Sequence, residues 1–108
     1  MLLKDYFPNL NKKYQKVSFK GIAFNSRKIK KGYIFFAFKG NNTDGNLFIK
    51  DAIKNGSKII ISDKLKKNGW KNDVLFLSFK YPRKLLALFS SRIFNKKPNN
   101  LIAVTGTN

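Results

Sequence analysis

The sequence predicts an α/β domain of three layers, a mixed β-sheet flanked by helices. Two observations predict it. Short apolar runs of strand length alternate with segments whose apolar residues recur at helical spacing. The strand-length runs are apolar throughout, as in strands covered on both faces. With 108 residues, 43% hydrophobic and 15% aromatic, the chain has the size and composition of one domain with a substantial core.

The elements follow in order. "MLLKDYF" is expected to form a short helix closed by Pro8. "VSFKGIAF", 17–24, carries Val, Ile and two Phe and reads as a strand. "NSRKIKKG" is a polar connection to "YIFFAF", 33–38, a continuous apolar run expected to be a buried strand. "KGNNTDGN", 39–46, is a loop that hands over to a helix at about Asp44, with Thr43 or Asp44 as its N-cap. Phe48, Ile49, Ala52 and Ile53 recur at helical spacing there, and Gly56 is a C-terminal stop. "KIIIS", 58–62, is another buried strand, "DKLKKNGWKND" a surface loop, and "VLFLS", 74–78, a strand. Pro82 stands where the first turn of a helix tolerates it. Leu85, Leu86, Leu88, Phe89, Ile93 and Phe94 make a broad apolar stripe on that helix, "NKKPNN" ends it, and "LIAVTGTN" is a last strand and turn. No internal repeat or low-complexity linker interrupts the chain.

Composition narrows function by exclusion. Lys and Arg number 23 against 5 acids, a net charge of +18. Such charge gives salt-dependent affinity for phosphate, and a nucleic-acid-binding module is one alternative. Only three of the cations are Arg (Arg27, Arg83, Arg92), and the Lys residues are scattered. Lys, Asn, Ile and Phe are together abundant, as AT-rich codon usage produces, whereas a nucleic-acid site more often clusters Arg. Nucleic acid is therefore not the expected partner. The charge will still draw an anionic ligand such as a nucleotide diphosphate.

There is no Cys and no His, hence no disulfide framework, no thiolate metal site and no imidazole base. All five acids are Asp and lie apart, so no carboxylate pair or nucleophile–base set is visible, and the chain shows no catalytic residues. No apolar stretch nears the roughly 18 residues of a membrane span, and "MLLKDYF" lacks the apolar stretch of a secretory signal. A cytoplasmic location is expected.

Two stretches can carry binding chemistry. The polar loops Asn25–Arg27 and Asn41–Asp44 flank "YIFFAF", and loops beside one strand can meet in space. Ser26, Asn41, Asn42 and Thr43 offer hydrogen bonds to a polar ring such as a base, and Arg27 offers a fork for phosphate. The same residue types are also ordinary turn formers, and residue chemistry leaves both readings open. "TGTN", 105–108, follows a strand as a phosphate-cradling turn does, but the Lys and hydroxyl that complete such a loop would come next. Alone it reads equally as a solvated tail.

Taken together and in this order, "NSRKIKKGYIFFAFKGNNTDGNLFIKDAIKNGS" and "LLALFSSRIFNKKPNNLIAVTGTN" resemble the Mur ligases, which build the peptidoglycan stem peptide. The family pattern is an Asp-Ser-Arg turn, a K-x-G-x-x-F-x-A-x-x-G segment, an Asp-Gly, a helix ending near Gly, a Leu- and Ala-rich helix, and a strand entering Thr-Gly-Thr-Asn-Gly-Lys-Thr. The match runs from Gly21 to Asn108. Gly-Thr-Asn at the end is similar to the MurE type, where the MurF type has Gly-Ser.

The resemblance implies a UDP-binding N-terminal substrate domain over 1–97, and over 98–108 the first strand and opening phosphate loop of a central ATPase domain, with Gly-Lys-Thr expected next. The family's contacts to the UDP part of the substrate fall on Phe24, Ser26, Asn41, Asn42 and Thr43, with Arg27 beside them. Gly106, Thr107 and Asn108 begin the ATP loop. The whole enzyme would use ATP and Mg²⁺ to convert the glutamate carboxylate of UDP-MurNAc-L-Ala-D-Glu to an acyl phosphate, which a diamino acid, meso-diaminopimelate or L-Lys, then attacks. This chain alone is expected to be inactive, without cofactor, and monomeric. Two departures stand out. Asn25 replaces the usual Asp, keeping an acceptor oxygen and losing the charge, and "NNT", 41–43, is an unusual version of the uridine segment. The last strand, cut from its own sheet, is expected to expose an apolar edge.

Overall fold

The computed structural model describes residues 1–7, 9–96 and the strand pair 102–103. Six strands form one sheet: β1 (Gly21–Ala23), β2 (Tyr33–Ala37), β3 (Ile59–Ser62), β4 (Gly69–Lys71), β5 (Val74–Ser78) and β6 (Ile102–Ala103), in the order β4-β5-β3-β2-β1-β6. All neighbours are parallel except β4, which runs antiparallel to β5 at the edge. The sheet is therefore mixed, as expected.

The register lines up Ile22 with Ile34, Ile34 with Ile59, and Ile59 with Leu75. These side chains share one face with Phe36, Ile61 and Leu77, where Leu86, Phe89 and Ile93 of the long helix α3 (Pro82–Lys96) cover them. Leu3, Tyr6, Leu10 and Tyr14 from the N-terminal segment complete that core. Phe89 is its hub, with ring centroids 5.3 Å from Tyr6, 5.9 Å from Phe19 and 5.6 Å from Phe36. The opposite face holds Ala23, Phe35, Ala37, Ile60 and Val74 against Ile49, Ala52 and Ile53 of the short helix α2 (Ile49–Lys54). Helix, sheet and helix make the three layers. The apolar runs of β2 and β3 are continuous because both faces of these strands are covered.

Several elements differ from expectation. The strand at 17–24 contracts to Gly21–Ala23, with Ser18 making only a single bridge to Leu2. The N-terminal helix is one 3-10 turn, Leu3–Asp5, and Pro8 lies outside the described residues. Helix α1 (Lys12–Gln15) was not foreseen; Asn11 caps it, its Oδ1 accepting from the Lys13 N–H at 3.1 Å. The supposed surface loop contains β4. Asn72 and Asp73 sit at φ 51° and 65°, the pair of positive values of a type I′ turn, and fold β4 onto β5. Of the expected stripe on α3, Leu88 and Phe94 are exposed, because only one side of the helix meets the sheet.

The expected helix at Asp44 begins with a 3-10 turn, Gly45–Phe48, and Asp44 rather than Thr43 is the cap. Gly56 stops α2 as expected, at φ +112°; a Cβ there would lie 2.8 Å from Lys31 Cα. The last strand, β6, pairs through Ile102 and Ala103 with Ile22 and Ala23 of β1 and stands at the edge of the sheet. The boundary expected at 97/98 lies outside the described residues.

Candidate functional site: a polar cleft at the strand ends

β1 and β2 are adjacent and parallel, so the segments leaving their carboxyl ends lie side by side. Open α/β sheets hold ligands at such ends. The segment after β1 runs through Phe24 into a 3-10 turn, Ser26–Lys28. Asn25 caps that turn, its Oδ1 accepting from the Arg27 N–H at 2.9 Å. The acceptor oxygen that Asn shares with Asp is therefore the one this turn uses. From below, the Asn55 side-chain amide donates to the Ser26 carbonyl at 2.9 Å, tying the turn to the end of α2. Ser26 is left only 9% exposed, while Arg27 projects to the surface.

The segment after β2 is a tight loop. Lys39 and Asp44 bridge across its base, and the Gly40 N–H donates to the Thr43 carbonyl at 2.8 Å. The Gly45 N–H donates to the Phe38 carbonyl at 2.8 Å. That approach requires glycine, since a Cβ on Gly45 would stand 3.0 Å from Phe38 O and 3.1 Å from Phe38 N. Asp44 Oδ1 accepts from the Asn46 backbone at 3.0 Å and from its side-chain amide at 2.9 Å. The side-chain bond first, then the backbone bond, hold the Asp44 carboxyl below the usual carboxylate range. Ser62, at the end of β3, donates through Oγ to Asn46 Oδ1 and accepts from the Lys64 N–H at 3.0 Å. The loop base is thus anchored to a third strand, and Asn41, Asn42 and Thr43 are held out at its tip, exposed.

Between the two segments lies a cleft of about 520 Å³, within the usual size of small-molecule sites. Phe24, Ser26, Arg27, Asn41, Asn42 and Thr43 all line it. The structure therefore brings together every residue expected for the uridine end. Gly106, Thr107 and Asn108 lie outside the described residues.

Sequence reasoning missed four side chains of the lining: Phe35, Phe38, Phe48 and Arg83. Phe24 and Phe38 stack with centroids 5.9 Å apart and planes at 25°. Arg83, from the first turn of α3, sets its guanidinium 5.1 Å from the Phe38 ring centroid. The one available signal was that Arg83 is among three arginines in a chain that otherwise uses Lys.

The lining thus combines aromatic rings, amide and hydroxyl groups, and two guanidiniums, with no carboxylate among the described residues. Rings and amides suit a heterocyclic base; guanidiniums suit phosphate. Among the described residues no group of three His, Cys, Asp or Glu side chains could hold a metal.

This is an α/β domain with a polar cleft at its strand ends, and comparison with known proteins gives its lineage. Residues 18–100 match the Mur ligase family, catalytic domain, and the chain belongs to that family. The UDP-N-acetylmuramoyl-L-alanyl-D-glutamate–2,6-diaminopimelate ligase of Rickettsia montanensis is 44% identical over 103 residues, 93% of this chain and 20% of that one. The ligase of the same name from Fusobacterium nucleatum is 39% identical over 109 residues, 99% of this chain and 21% of that one. The chain thus spans about a fifth of the length of the curated relatives it matches. Among solved structures, the MurF ligase of Thermotoga maritima in complex with ADP aligns with TM-score 0.55 and 27% identity over 70% of this chain and 17% of that one. MurF from Acinetobacter baumannii shares the fold, with TM-score 0.62 and 21% identity over 87% of this chain and 20% of that one.

Proposed function

We propose that this chain is the substrate-anchoring part of an ATP-dependent, MurE-type ligase of peptidoglycan synthesis, acting in the cytoplasm. It holds the uridine end of UDP-MurNAc-L-Ala-D-Glu, to which the whole enzyme adds a diamino acid. The observation that carries the reading is the convergence of the two polar loops and two arginines on one cleft. The names of the relatives at 39% and 44% identity support the MurE type over the MurF type, and support 2,6-diaminopimelate over L-Lys as the amino acid.

In this reading Ser26, Asn41, Asn42 and Thr43 hydrogen-bond the base and ribose, Phe24 and Phe38 provide an apolar wall, and Arg27 meets the diphosphate. In the whole enzyme, Gly106, Thr107 and Asn108 would belong to the loop that holds ATP with Mg²⁺, which would supply the phosphoryl group that activates the glutamate carboxylate. The cleft residues bind the nucleotide end of the substrate rather than that carboxylate. Remote binding fixes where the reacting group sits, so losing it lowers turnover as well as affinity.

Calorimetric titration of the chain with UDP-MurNAc-L-Ala-D-Glu, with UMP and a short RNA as comparators, tests the reading. Saturable binding of the UDP compound with a shallow salt dependence is expected. Tight RNA binding with a steep salt slope, and no preference for the UDP compound, would make the +18 charge the functional feature and overturn the reading.

A further inference from the structure

We infer, on the reading proposed above, that Arg83 is a diphosphate-binding residue of the cleft, pre-positioned by its cation–π contact with Phe38. Arg83 belongs to neither of the two loops. It comes from the first turn of α3, whose N-terminal end carries the positive pole of the helix dipole. The helix packs across the sheet face and delivers this residue to the carboxyl end of β2.

The three arginines of the chain are not equivalent. Arg92 is used internally, its Nη1 donating to the Asp5 carbonyl at 3.1 Å. Arg27 and Arg83 both line the cleft, and no carboxylate among the described residues lines it to neutralise them. Arg83 has no hydrogen-bond acceptor among the described residues; its contact is the Phe38 ring, 5.1 Å away. Phe38 is in turn backed by Phe24. A guanidinium held over an aromatic ring by this attraction still has its N–H donors to offer to an anion. Two such cations match the two charges of a diphosphate diester, and the fork geometry suits its paired oxygens. A lysine, common everywhere else on this surface, would supply charge without the plane or the fork.

The test compares uridine with UDP as probes, by NMR or calorimetric titration of the 108-residue chain and of R83A, R83K and F38L. R83A is expected to weaken UDP by about 10- to 100-fold, the loss typical of a charge-assisted contact, and to leave uridine within about threefold. R83K is expected to recover only part of the UDP affinity. F38L, which keeps the charge and removes the ring, is expected to weaken uridine somewhat through the lost wall and UDP by a larger factor through the lost support of Arg83. Arg83 is exposed, so the fold does not depend on it. Equal weakening of uridine and UDP in R83A would put the guanidinium on the base and overturn the inference alone. So would an R83A titration indistinguishable from that of the unmodified chain. An unmodified chain that binds neither probe would overturn the cleft reading, and this inference with it.

Discussion

Replacing Gly45 with Ala tests how the uridine loop is built. The added Cβ would stand 3.0 Å from Phe38 O and 3.1 Å from Phe38 N, both backbone atoms of the strand end that cannot swing aside. The loop must move away by a few tenths of an ångström. That shift attacks the 2.8 Å bond from the Gly45 N–H to the Phe38 carbonyl, and with it the Lys39–Asp44 bridge. Loss of one such bond costs about 0.5–1.5 kcal/mol, and overpacking of a close contact about 1–3 kcal/mol. The expected total is about 1.5–4.5 kcal/mol. For a domain of this size each kcal/mol lowers the melting temperature by about 4–8 °C. Urea and thermal unfolding followed by circular dichroism read the stability, and titration with UDP reads the site. Destabilisation together with weaker UDP binding is expected. Stability within about 0.3 kcal/mol of the parent, with UDP affinity intact, would show that the loop tolerates the methyl group and that its position is not set by this contact.

Three further substitutions follow from the same geometry. Phe89→Ala removes the ring on which Tyr6, Phe19 and Phe36 converge, and should cost about 3–5 kcal/mol, a large share of the about 5–15 kcal/mol of a typical domain; a cooperative melt with the parent midpoint would refute that role. Asp73→Gly relieves a left-handed residue in the β4–β5 turn and should raise the midpoint by a few degrees, roughly the 0.5–1 kcal/mol typical of such sites; an unchanged or lower midpoint argues against the type I′ assignment. The Asp44 carboxyl has a lowered pKa in the folded chain, so its contribution is present above the unfolded value near pH 4 and is lost as pH falls through the folded value. The stability of Asp44→Asn should therefore fall less than that of the parent below about pH 4, and parallel curves would contradict the hydrogen bonds assigned to it.

How readable each element was in the sequence depended on what holds it. β2, β3 and β5 were visible because the sheet interior demands unbroken apolar runs there. β4 was not, since Gly69, Trp70 and Lys71 form an edge strand defined by its partner rather than by burial. Its one local cue was Asn72-Asp73, two residues that tolerate left-handed backbone. α1 is too short to show a period; Tyr14 is its one buried residue. The stripe on α3 was read too wide because Leu88 and Phe94 have the chemistry of a core and the position of a surface.

At the cleft, the two loops could be paired from their place on either side of β2, and the family resemblance named the residues. Arg83 could not be placed that way. Its arrival depends on the strand order and on the face α3 covers, neither of which a single sequence states.

The central claim is that the cleft after β1 and β2 holds a uridine nucleotide. Backbone amide shifts of the isotope-labelled chain, followed by NMR as UDP is added, test it most directly. Saturable shifts concentrated at Phe24–Arg27, Phe38–Thr43 and Arg83 are the expected result. Shifts spread over the lysine-bearing surface, without saturation and abolished by moderate salt, would show that UDP meets only diffuse positive charge and would contradict the account.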